Sequence, residues 1–179
     1  MAVETPIWLQ NGTYPARLDR AFIEAVLRGV ERVFDGLEIT ERAAGANFSV
    51  DVSAGAVAVE GDDSANQGFY FVRSTAIENI PVPASPGSGT RTDSVIVRIN
   101  DSQAGGGPGD DAVIEVIEGT VVPPSAVLLA TIARTDVEAA ILGTAITDMR
   151  PLGQYPYTVS TSGPTPGVGV DGDLHVQVS

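Results

Sequence analysis

The stretch Phe48-Ser49-Val50-Asp51-Val52-Ser53-Ala54-Gly55-Ala56-Val57-Ala58-Val59-Glu60 decides the fold class. Apolar and polar residues alternate along Phe48–Val52, which is the period-two pattern of a half-buried strand. Ala54-Gly55 permits a tight turn or bulge, and Ala56–Glu60 follows as a further strand. The stretch therefore predicts two paired strands in a mainly β protein.

Similar β-rich segments lie before and after this pair in the sequence. They are Leu37–Thr40, Phe69–Val72, Ala76–Ile80, Ser94–Ile99, Ala112–Ile117 and Val127–Ala133. Pro81–Gly89 is a proline-rich loop, Ala104–Asp111 is a glycine-rich connection, and Asp136–Leu142 is predicted to form a short helical turn before Ala145–Met149. One helix and seven or eight short strands predict an antiparallel β-sandwich or barrel-like domain.

The single predicted helix lies before the strands. Pro15 suits its first turn because proline has a fixed φ and lacks an N–H that would be unpaired there. Apolar residues recur with a period of 3.6 from Ala16 to Phe34, and Asp35-Gly36 is predicted to end the helix. The apolar stripe would cover a sheet or pack against the same helix of a neighbouring subunit, and the sequence leaves both arrangements open.

Apolar side chains of the helix, with two aromatic residues of the lead-in (residues 1–14), form a candidate oligomer interface. Buried aromatic side chains contribute disproportionately to interface energy, although the two lead-in aromatics would equally pack on the subunit's own helix. The candidate interface residues are Trp8, Tyr14, Leu18, Phe22, Val26, Val30 and Val33.

The sequence divides into the lead-in, a helix-plus-β domain at residues 15–153, and a tail at residues 154–179 that extends from it. Ser160–Gly167 has the composition of a linker. Leu174, Val176 and Val178 alternate with polar residues as one strand does. Because a lone strand is unstable, we expect this strand to add to a sheet of its own domain, of a sister subunit or of another protein.

Composition excludes several classes of function. The net charge is −13, and all ten basic residues are arginines. Such an acidic surface repels nucleic acid and anionic membranes, so neither is an expected partner. The absence of cysteine excludes disulfides and thiolate metal sites. We expect no signal peptide and no membrane insertion, because the apolar runs are far too short to span a bilayer.

The residues that would carry catalysis do not form a convincing set. His175 is the only histidine, and it lies in the predicted terminal strand, where a catalytic triad would be poorly held. The acidic pairs Asp62-Asp63 and Asp110-Asp111 are expected by chance in a chain with 23 acidic residues. Asp171-Gly172-Asp173 lacks the ligand spacing of a calcium loop. We assign no catalytic, cofactor-binding or metal-binding residue and predict that the chain is not an enzyme.

Seven short motifs follow one another along the chain. They are Ala21–Ala25 leading to Asp35-Gly36-Leu37, Val50–Gly61, Arg91–Asn100, Val116–Thr120, Pro123-Pro124, Leu128–Ile132 and Ile146–Arg150. In their order they resemble the N-terminal connector module of phage minor tail and baseplate proteins, and the resemblance covers most of the chain. The resemblance implies a β-rich, non-catalytic virion module that is oligomeric and frequently trimeric.

The expected function is therefore a virion structural protein of a phage tail tip or baseplate, made in the host cytoplasm and joined to other tail proteins. Members of this family often continue into long receptor-binding segments, whereas this chain ends soon after its linker. That favours a homotrimeric connector. The alternatives are a receptor- or host-glycan-binding tail protein, which would use the Pro81–Gly89 and Ala104–Asp111 loops, and a head decoration or head-fibre protein.

Overall fold

The computed structural model describes residues 15–106, 109–152, 157–160 and 174–177. It confirms a mainly β protein with one helix near its N-terminus. In these described ranges, no helix has the length and apolar character needed to cross a bilayer.

Helix α1 spans Ala16–Leu27, so the predicted start is right and the predicted end at Phe34 is wrong. Arg28 and Gly29 both adopt positive φ angles, of 56° and 69°. The Gly29 N–H donates to the carbonyl oxygen of Glu24, which closes the last turn. Beyond this cap the chain leaves the helix and forms strand β1 (Arg32–Gly36).

Eleven further strands follow β1 in the described residues. They are β2 (Ile39–Glu41), β3 (Ser49–Val52), β4 (Gly55–Gly61), β5 (Gly68–Ser74), β6 (Glu78–Pro81), β7 (Thr90–Asp101), β8 (Asp110–Ile117), β9 (Ala126–Thr135), β10 (Ile146–Asp148), β11 (Tyr157–Ser160) and β12 (Leu174–Gln177).

The helical turn predicted at Asp136–Leu142 is absent, and a short 3₁₀ turn lies at Gly143–Ala145 instead. The reason is the Glu138 carboxylate, which accepts hydrogen bonds from Arg134 Nε and from the Thr135 N–H. These bonds hold the chain after β9 in a tight turn.

Strands β3 and β4, predicted to pair with each other, are successive parts of one bent strand. The first sheet has the order β1-β4-β5 and the second has the order β2-β3-β6. Hydrogen bonds from the Leu37 N–H to Ala54 O (3.3 Å) and from the Ser53 N–H to Glu38 O (3.0 Å) join the two sheets across the bend. A side chain at Gly36 or Gly55 would collide with the facing backbone, which explains glycine there.

The first and second sheets, which together we call the bent meander, pack against the third sheet, whose order is β10-β9-β7-β8. All its described strand pairs are antiparallel. The core lies between the layers and consists of small branched side chains, each at most 8% exposed. Its members include Val33, Val57 and Val59 of the first sheet, Leu37 just after β1, Val50, Val52 and Ile80 of the second sheet, and Val95, Val97, Val127, Leu129 and Ile132 of the third.

Helix α1 lies on the opposite face of the first sheet, away from this core. Leu27, Ala58 and Phe69 form a small second cluster there, and Ile23 packs against it. Gly68 allows the close approach, since a side chain at this position would meet Arg20 of the helix. The helix therefore covers part of the outer face of the first sheet, which is one of the two arrangements left open by the sequence.

One edge of the meander is closed by the segment that follows β10. The Val33 N–H donates to Pro151 O (3.0 Å), and Val33 forms an isolated parallel bridge with Leu152. Arg150 Nη1 donates to Gly36 O (2.7 Å) while the same guanidinium pairs with Asp148. We call this edge the sealed seam.

The terminal strand predicted from Leu174, Val176 and Val178 is present as β12. It pairs in parallel with β11, in the register Tyr157 with Leu174. Its partner is therefore the segment just before the linker, while Val178 lies outside the described residues.

Candidate functional site

Five large apolar side chains remain exposed on the side of the molecule that carries α1. They are Phe22 and Val26 of the helix, Val30 of the following connection, Phe34 of β1 and Phe71 of β5. Their exposed fractions range from 43% for the two phenylalanines Phe22 and Phe34 to 63% for Val26. We call this set the helix-side patch.

Strand geometry places the sheet members of the patch on the face that the helix only partly covers. Phe69 contacts Leu27 of the helix, and Phe71, two residues further along β5, points to the same face. The rings of Phe34 and Phe71 lie 5.8 Å apart between centroids. The two rings therefore touch each other across the small residues of β4, beyond the area that the helix shields.

The residues of the predicted interface lie in different settings in the structure. Phe22, Val26 and Val30 are exposed as an interface requires, although Val30 lies outside the helix. Leu18 and Val33 are instead buried within the subunit, because Leu18 lies on the covered face of α1 and Val33 points from β1 into the core. Trp8 and Tyr14 lie outside the described residues.

Sequence reasoning missed Phe34 and Phe71. Phe34 was assigned to the helix, and only the correct helix end at Arg28-Gly29 places it in a strand. For Phe71 a signal was present, since Phe69, Tyr70 and Phe71 put aromatic rings on both faces of one strand. A strand with aromatic residues on both faces needs a cover on both sides.

The second candidate surface is a cleft of about 320 Å³ between the edge strands β5 and β8. Tyr70, Phe71 and Val72 line it from β5, and the end of β7 and the start of β8 line it from the other side. In the described residues β5 is paired only with β4, and β8 only with β7. We call this edge of the sandwich the open seam.

Three carboxylates lie along the open seam, and their hydrogen-bond donors are neutral groups. Asp101 accepts from the Tyr70 hydroxyl (2.5 Å) and from the Gln103 N–H (2.9 Å). Asp110 accepts from the Ser102 hydroxyl (2.8 Å), and Asp111 accepts from the Asn100 amide (2.7 Å). The cleft thus combines an aromatic wall with a negatively charged rim.

The local electrostatics fix the protonation of Asp101 and Tyr70. The hydrogen bond from Tyr70 is the main reason that the pKa of Asp101 lies below its ordinary value. Burial is the main reason that the pKa of Tyr70 lies above its ordinary value. The guanidinium of Arg20 lies 4.8 Å from the centroid of the Tyr70 ring. Asp101 is therefore ionised at neutral pH and Tyr70 remains protonated.

The acidic pair Asp62-Asp63 holds two connections together. Ser125 Oγ donates to Asp63 Oδ2 (2.5 Å), and the Asp62 N–H donates to Ser125 Oγ (3.0 Å). Nearby, Glu31 and Glu60 line a cleft of about 360 Å³, and burial raises the pKa of Glu31 to about 7. Within the described residues, no group of three or more metal-ligating side chains comes together.

A buried ion network fixes the loop at residues 81–89. Asp93 and Arg134 are fully buried and pair at 2.7 Å, and Arg91 also pairs with Asp93. Arg134 donates to Pro83 O (3.0 Å), and Arg91 donates to Ala84 O (2.8 Å). The network therefore ties this loop to the third sheet, which reduces its freedom to adapt to a receptor.

The described part of the chain thus offers two surfaces of distinct character, one apolar and one acidic. No family model, curated protein or solved structure matches this chain.

Proposed function

We propose that this chain is a structural subunit of a phage tail tip or baseplate, an oligomeric connector that assembles with copies of itself and with other tail proteins. The observation that carries the proposal is the helix-side patch. The order of motifs from Ala21 to Arg150 supports placing the protein in a virion, and trimers are the frequent state of the family that it resembles.

The patch has the chemistry of a protein–protein contact. Its five side chains are large and exposed, and two of them, Phe34 and Phe71, are in contact. Exposed apolar groups that lie together mark association surfaces. Covering the exposed remainder of each would stabilise an assembly by roughly 1 kcal/mol per side chain. That sum is large enough to offset part of the repulsion between copies that each carry a charge of −13.

Light scattering during size-exclusion chromatography tests the self-association. We expect a mass close to three times the 18.5 kDa of one chain. The double substitution Val26→Ser with Phe71→Ser should shift this mass towards the monomer. Val121→Ser with Val137→Ser is the matched control, because both residues are about as apolar and are 85% and 86% exposed elsewhere on the surface. A chain that is monomeric at every concentration contradicts the proposed assembly.

Cryo-electron microscopy of whole virions tests the location. Density for this fold at the tail tip or baseplate is the expected result, with the helix-side patch buried between copies. Density on the capsid would instead favour a head decoration or head-fibre protein.

A further inference from the structure

The sandwich has two seams. At the sealed seam a chain segment covers the edge strand β1, and at the open seam the edge strands β5 and β8 border a cleft. At the sealed seam, an extended segment lies along β1, accepts a backbone hydrogen bond from Val33 and forms a bridge through Leu152. Arg150 of that segment bonds to Gly36 O and pairs with Asp148. The cover is therefore an extended chain with a basic side chain beside it.

The open seam has the same kind of surface without such a segment in the described residues. The cleft lies beside the unpaired edges of β5 and β8, and an unpaired strand edge is a template for a further strand. Its rim adds Asp101, Asp110 and Asp111. Arg20, which lies against the Tyr70 ring, offsets part of the charge of Asp101, so Asp110 and Asp111 are the carboxylates that attract positive charge.

We propose that the open seam binds an extended segment of a partner protein that carries arginine or lysine. The segment pairs with the edge of β5 by backbone hydrogen bonds, an apolar side chain packs on Tyr70 and Phe71, and the basic side chain meets the carboxylates of β8. The cleft spans three residues of β5, Tyr70 to Val72, which corresponds to about 10 Å of extended chain.

Charge decides against residues 1–14 and 153–179 as the occupant. Residues 1–14 and 153–179 contain no arginine and no lysine, whereas they contain Glu4, Asp171 and Asp173. Either segment would bring negative charge to a negative rim. A partner with basic residues gains from the same rim, both in its rate of encounter and in its orientation. The docking site borders the helix-side patch at Phe71, whereas its carboxylates Asp110 and Asp111 lie outside that patch.

A library of random twelve-residue peptides, selected on the immobilised full-length chain, tests the chemistry of the occupant. We expect enrichment of sequences with arginine or lysine at alternate positions to apolar residues and without central proline. The strongest binder, synthesised and measured by fluorescence anisotropy, should lose at least about tenfold in affinity between 50 and 300 mM salt.

Two variants place the binding at the seam. Ala112→Tyr fills the cleft, and Asp110→Asn with Asp111→Asn removes rim charge. Each variant should lower the affinity for the peptide by about tenfold or more. Val121→Tyr is the matched control for the first, and Glu24→Gln with Asp35→Asn is the matched control for the second, since these residues are exposed away from the cleft.

Several results would overturn the proposal. They are a selection that enriches nothing, a selection that enriches acidic or neutral sequences, and binding that persists in both seam variants. If Ala112→Tyr loses the native circular dichroism spectrum, the double asparagine variant decides alone, because it changes only exposed carboxylates.

Discussion

The sealed seam and the open seam are the two long edges of one sandwich, and they differ in what lies against their edge strands. Along the sealed seam, backbone bonds and an arginine from a distant part of the chain cover β1. Along the open seam, the described chain leaves β5 and β8 bordered by a cleft with an acidic rim. The same layered core thus has one edge that the chain itself covers and one edge that borders an open cleft.

The largest expected difference concerns the two valines that face the core beside the seams. Val33 is 2% exposed, whereas Val72 is partly buried at the cleft. Val33→Ala should lower the free energy of unfolding by about 2–3 kcal/mol, because two methyl groups and their contacts are lost and a cavity remains. Val72→Ala should cost about 1 kcal/mol. Urea unfolding measures both, and equal losses would contradict the difference between the seams.

Arg150→Met should destabilise the sealed seam by about 1–2 kcal/mol, since it removes the bond to Gly36 O and the pairing with Asp148. Hydrogen exchange of the Val33 amide should become faster as the segment detaches. Arg73→Met is the matched control, because Arg73 is an exposed residue of strand β5. That change should cost under about 0.5 kcal/mol. An unchanged exchange rate of the Val33 amide would argue against a role of Arg150 in holding this segment on β1.

Glu31 precedes β1, and its carboxylate accepts a hydrogen bond from the Glu60 N–H at 3.1 Å. Burial raises its pKa from 4.5 to about 7 in the folded protein. A raised pKa means that the contribution of Glu31 to stability is fully present below about pH 4.5 and is lost as the pH rises through 7. Glu31→Gln should therefore stabilise the protein at pH 8 by about 1 kcal/mol, discounted for partial exposure, and have little effect at pH 4.

Thermal unfolding of the wild type and of Glu31→Gln at several pH values measures this difference. A gap between wild type and Glu31→Gln that is the same at pH 4 and pH 8 would show that the carboxyl titrates normally.

The smallest expected effect is at the open seam. Tyr70→Phe removes the hydroxyl that donates to Asp101 and accepts from Gln67. Because the cleft is open and water can replace the lost donor, we expect a loss of only about 0.5 kcal/mol in urea unfolding. The pKa of Asp101, followed by NMR, should rise towards its ordinary value. A loss above about 2 kcal/mol would mean that this seam is as closed as the other.

Local patterns predicted most of the strands but not how they connect across the sheets. The period-two alternation located β3 and β4, whereas the bend at Ser53-Ala54 depends on the facing Gly36-Leu37, about fifteen residues away in the chain. A turn and a bend use the same small residues. Only the partner strand distinguishes them, and a partner strand is not a local property.

The helix end shows a second limit of sequence reasoning. Val30, Val33 and Phe34 continue the helical period by coincidence, while Arg28-Gly29 was the real stop. Of the candidate site, the exposed helix residues Phe22 and Val26 followed from periodicity. The open seam did not, because a cleft between β5 and β8 arises only when two sheets pack.

The bond from Arg150 to Gly36 joins residues 114 positions apart in the chain. A ribosome delivers the early strand long before the segment that covers it, so β1 emerges with a bare edge. Closing a loop of that length costs conformational entropy, which slows the closure. Until it closes, the uncovered edge strand can pair with another nascent chain. The rate of synthesis and the spacing of nascent chains, rather than the final stability of the fold, would then govern how much of this protein reaches its native state.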